Sequence, residues 1–89
     1  MNSEYYIKTD TDTERTCILS GIRPVRKEDV NSDHRYITAT HVVTFIEIDE
    51  KGYLKNRIEV GKNWTEEKRE WYCSKIGETF TLIPEHKIL

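Results

Sequence analysis

The sequence predicts a mainly β (α+β) fold, a small antiparallel sheet curled on itself or closed into a barrel, with one short helix in its C-terminal half. Three observations carry this. Ten Ile, five Val and ten Thr stand against a single Ala, Ala39. Branched side chains lose rotamer freedom in a helix and pack well on a pleated surface. Residues 42–60 read as two alternating strands around a glycine-containing turn, and 65–77 carry the start and stop signals of a helix. With 89 residues the chain makes one domain, 1–89, whose acidic lead-in, residues 1–14, need not be tightly ordered.

Taken in order, Tyr5 to Lys8 is a short edge strand, and TDTDTE after it is exposed and turn-like. Arg15 to Arg23 is a second strand, with Gly21 marking a bend or bulge. Pro24 to Asp33 is a polar connection with room for one helical turn. From Tyr36 to Phe45 the apolar residues Ile37, Ala39, Val43 and Phe45 occupy odd positions, whereas from Val42 to Ile48 they occupy even ones. A long strand with such a phase change must bend, bulge or pass between two layers.

The hairpin turn is Asp49-Glu50-Lys51-Gly52, with Asp first and Gly fourth, as a type I turn followed by a bulge requires. Setting Asp49 opposite Tyr53 gives a register in which Ile48 faces Leu54, Ile46 faces Asn56, Thr44 faces Ile58 and Val42 faces Val60. The other side then pairs Glu47 with Lys55, Phe45 with Arg57 and Val43 with Glu59.

Thr65 caps the helix, Glu66 and Glu67 occupy its first turn, Lys75 its last, and Gly77 stops it. Trp71, Tyr72 and Ile76 form its apolar stripe, and Trp64 leads in. Glu78 to Ile83 alternates as a final strand ended by Pro84, and the run Ile76–Leu82 is similar to the glycine-acid turn that opens a strand in many small barrels. Strands, hairpin, helix and strand without a βαβ rhythm give a domain the size of SH3 or OB barrels; a flat sheet crossed by the helix is the alternative.

Composition excludes several functions. Sixteen acids and fourteen bases leave a net charge of −2, without the basic excess of a general nucleic-acid binder or the acidic excess of a DNA mimic. No apolar stretch spans a bilayer and no signal peptide is evident, so a cytoplasmic setting is expected, with Cys17 and Cys73 reduced and Asn63-Trp64-Thr65 unglycosylated. His34, His41, His86, Cys17 and Cys73 lack metal-ligand spacing. Asp10, Asp12 and Glu14 lack the glycine and distal glutamate of a calcium loop. The four glycines are isolated, so no phosphate cradle forms. Neither catalysis nor a cofactor is expected, and His41 reads as a structural histidine.

Two functional readings follow. The first is a non-catalytic protein-binding module, such as a small inhibitor or adaptor of bacterial or viral origin. Its contact surface is Trp64, Arg69, Trp71 and Tyr72, because partly exposed aromatics beside arginine are the usual interface anchors; the alternative is that the indoles close the end of the barrel as core and contribute only stability. The second is a single-stranded nucleic-acid binder on a small barrel, using Arg23, Arg26, Lys27, Arg35, Phe45 and Arg57, with Tyr36 and Tyr53 as further stacking residues.

Overall fold

The computed structural model describes residues 4–85. Its elements run β1 (Tyr5–Thr9), β2 (Arg15–Pro24), α1 (Lys27–Ser32), a 3-10 turn (His34–Tyr36), β3 (His41–Ile48), β4 (Leu54–Lys62), α2 (Glu66–Cys73) and β5 (Thr79–Pro84). The strands form one open sheet in the order β1-β5-β2-β3-β4. The fold is therefore mainly β with one short helix in the C-terminal half, as the composition requires. The sheet is not closed, and it is mixed: β1 pairs parallel to β5 while the other three pairings are antiparallel.

One face holds the core. Ile7, Cys17, Leu19, Val43, Phe45, Val60, Phe80 and Leu82 are buried there with Trp64, and Tyr72 of α2 packs against them. Thr65 caps α2 by accepting the Lys68 N–H at 3.2 Å. The helix ends at Cys73, so Lys75 and Ile76 lie in the turn beyond it. Gly77, at φ +98, reverses the chain, and its N–H bonds the Leu19 carbonyl at 2.8 Å, feeding β5 into place beside β2.

The expected strand through Tyr36 begins only at His41. Residues 34–36 instead form the 3-10 turn, where Asp33 accepts the Arg35 N–H, and Tyr36 packs over Gly61 on the opposite face of the sheet. The odd-position apolar residues Ile37 and Ala39 thus belong to a connection.

The hairpin register needs a larger correction. The turn forms as expected: Asp49 N–H bonds the Tyr53 carbonyl at 2.9 Å, Gly52 sits at φ +87, and Ile48 faces Leu54. Beyond that, β4 bulges so that Lys55 and Asn56 both lie opposite Glu47, and every later pair shifts by one. Phe45 faces Ile58, not Arg57, and Val43 faces Val60, not Glu59. The shift has a physical cause. It carries Ile58 and Val60 onto the face where Phe45 and Val43 are buried, whereas the expected register leaves them with Thr44 and Val42 on the other side. A second register shift, between Leu19 and Gly21, lies where Gly21 suggested one.

Candidate functional site

The site begins in the core and ends at the surface, as a chain of rings across α2, β5 and β1. Trp64 immediately precedes the helix cap Thr65, and its backbone N–H bonds Thr40 Oγ1 at 2.9 Å. That anchor turns the indole inward, where it stacks on Tyr72 at 4.1 Å and 6°. Tyr72 continues to Phe80 at 5.9 Å, Phe80 stacks on Tyr5 at 5.1 Å, and Tyr5 meets Trp71 edge-on at 5.6 Å and 83°. Trp71 also meets Tyr72 edge-on, at 4.9 Å and 84°.

The two tryptophans therefore have different surroundings. Trp64 is 7% exposed and belongs to the core, so it leaves the expected contact surface. Trp71 is 46% exposed, although two rings hold it on edge. Tyr72 is half-buried, and burial raises its phenol pKa.

Arg69 is not beside Trp71. Two residues apart on a helix, they point in different directions. Arg69 instead pairs with Glu66 and donates to Cys73 Sγ at 3.4 Å. The cation at Trp71 is Lys75, whose Nζ lies 5.3 Å from the Trp71 ring centroid and 5.4 Å from that of Tyr5. Ile76, 45% exposed, borders it in sequence. Sequence reasoning missed Lys75 and Tyr5. The four-residue spacing of Trp71 and Lys75 was a usable signal; the approach of Tyr5 depends on β1 joining β5 and had none.

The residues of the nucleic-acid reading do not come together as a stacking platform. Phe45 is fully buried and unavailable to a base. Arg23 grips Asp29 through two bonds of 2.7 Å, Arg35 pairs with Asp33 and Asp10, and Arg57 pairs with Glu59 at 2.9 Å. Arg26 and Lys27 are exposed at the start of α1, Tyr36 is buried, and Tyr53 is exposed at the hairpin end.

Other reactive groups have structural surroundings. Burial pushes the Cys17 thiol up to about 11, and the nearby Glu47 charge acts in the same direction. Cys17 and Cys73 are both free thiols. His41 Nδ1 lies 2.7 Å from Thr40 Oγ1. Among the described residues no three His, Cys, Asp or Glu side chains converge to hold a metal; His86 lies outside them. Nor, among the described residues, is any helix long and apolar enough to cross a membrane. Comparison of the chain with protein-family models, curated proteins and solved structures finds no match.

Proposed function

We propose that the chain is a non-catalytic protein-binding module, an inhibitor or adaptor, whose contact surface is built on Trp71. The observation that carries this is the setting of that indole. It is half-exposed, yet fixed edge-on by Tyr5 and Tyr72 and covered by Lys75. An aromatic side chain held in one position loses little conformational entropy when a partner covers it, and tryptophan beside a cation has the composition of an interface anchor. Ile76 extends the apolar area, whereas Trp64 and Tyr72 support it from below. A small domain acting this way in the cytoplasm would need neither cofactor nor catalytic residue.

The test is capture of partners from the native cell extract by the wild-type chain, Trp71→Ala and Lys75→Ala, with and without nuclease. Trp71→Ala should stay folded and lose the partner; Lys75→Ala should weaken capture. Undiminished capture by Trp71→Ala overturns the reading. Capture that disappears after nuclease treatment, and that weakens steeply as salt rises, favours the nucleic-acid alternative.

A further inference from the structure

β4 forms the edge of the sheet farthest from β1, and hence from the Trp71 surface. Its first four residues, Leu54 to Arg57, are all exposed, Leu54 at 69%. An edge strand offers unpaired N–H and C=O groups to any second strand, and proteins usually guard it with bulges and charges. β4 has both, in the bulge at Lys55 and Asn56 and in Lys55, Arg57 and Glu59. Beyond the bulge, however, the strand is regular from Arg57 to Gly61, and its charges complement themselves.

When two copies of one strand pair antiparallel about a two-fold axis normal to the sheet, opposite residues must share a face, so the axis passes through a residue. With the axis at Arg57, arginine meets arginine; at Glu59, glutamate meets glutamate. At Ile58, Arg57 of each copy stands opposite Glu59 of the other, giving two reciprocal pairs on one face. On the core face Ile58, half-buried at the rim of the core, meets its own copy. Apolar contact and charge thus select the same register.

We propose that β4 pairs antiparallel with β4 of a second copy of this chain, centred on Ile58, joining the two sheets into one. Within one chain Arg57 and Glu59 already lie side by side on the same face, 2.9 Å apart, so neither has to leave that face to reach across.

Sedimentation of the full chain over a wide concentration range tests this. The wild type should dimerise. Arg57→Glu and Glu59→Arg each set like charges opposite one another twice, and each should weaken the dimer roughly tenfold or more. The double variant R57E/E59R should restore it. A wild type that stays monomeric at every concentration overturns the proposal, as does a dimer indifferent to the single changes or not restored by the double. Exchange protection of the Arg57 and Glu59 amides that grows with concentration is a variant-free readout of the same pairing; its absence in a dimer places the interface elsewhere. Because Trp71 sits at the other edge, failure here leaves the partner-binding surface standing.

Discussion

Glu47 lies buried on the core side of β3, opposite Cys17 on one flank and the β4 bulge on the other. Asn56 donates to it at 3.0 Å and Arg15 at 3.2 Å. Chiefly the Asn56 bond, with Arg15 adding to it, holds the carboxyl below its ordinary range despite burial, which acts the other way. Asp29, gripped by Arg23, is held below its range as well. A depressed folded-state pKa means that the unfolded chain binds more protons in acid. These groups therefore contribute stability above the unfolded values of about 4, and that contribution is lost as pH falls through the folded ones. Urea melts at stepped pH should show stability declining below about pH 4.5, with a shallower decline in Glu47→Gln. An equally steep decline in that variant would remove Glu47 as its source. A second site at this scale is Gly61, where an added Cβ would stand 2.7 Å from Tyr36 Cδ1 and 3.1 Å from the Ala39 Cβ. Gly61→Ala should cost about 1–3 kcal/mol in thermal or denaturant melts, because the ring is packed and cannot swing clear.

Among the elements, those with local chemical signals were legible in the sequence. The hairpin turn is one: Gly52 at φ +87 is a conformation that branched residues resist, and Gly52→Val should lose about 1 kcal/mol or more. The α2 cap was legible for the same reason, but its end was not: the helix stops at Cys73, and Gly77 reverses the chain four residues later. The bulge was not. Glu47 facing Lys55 and Phe45 facing Arg57 are acceptable pairs, so charge alone could not reject that register; only the burial of Ile58 and Val60 with Phe45 decides it. The helix stripe was half legible. Spacing grouped Trp64 with Trp71, but Trp64 precedes the cap, and its bond to Thr40 on the approach to β3 turns it into the core. α2 is only eight residues long, too short to persist alone, and the Trp64–Tyr72 stack is what docks it. Trp64→Ala should therefore cost about 3–5 kcal/mol, whereas Trp71→Ala should change the melting temperature far less. Equal losses for the two would place Trp71 in the core and leave the proposed contact surface without its anchor.

At the scale of the whole molecule, the long-range closure was the least legible feature. The phase change read as curling towards a barrel, but its first half, Ile37 and Ala39, lies in the connection before β3, and the sheet stays open. The sheet is completed by β1 lying parallel to β5, a pairing of residues 5–9 with 80–84 that no local turn specifies. That contact orders the start of the acidic lead-in from Tyr5 to Thr9; residues 1–3 lie outside the described structure. It also brings Tyr5 to Trp71, so the candidate site exists only once the two ends of the chain have met. Ile7 is the buried residue at the centre of this pairing, opposite Leu82. Truncating it should cost about 2–4 kcal/mol, a large share of the roughly 4–13 kcal/mol usual for a domain this size. Because β1 adds its buried residues to the one core that the other strands share, Ile7→Ala should destabilise the whole domain rather than fray an edge. Denaturant curves followed by tryptophan fluorescence and by far-ultraviolet circular dichroism should shift together to lower midpoints. An unchanged midpoint, or a fluorescence change that precedes loss of the sheet, would mean that β1 docks on a core already stable without it.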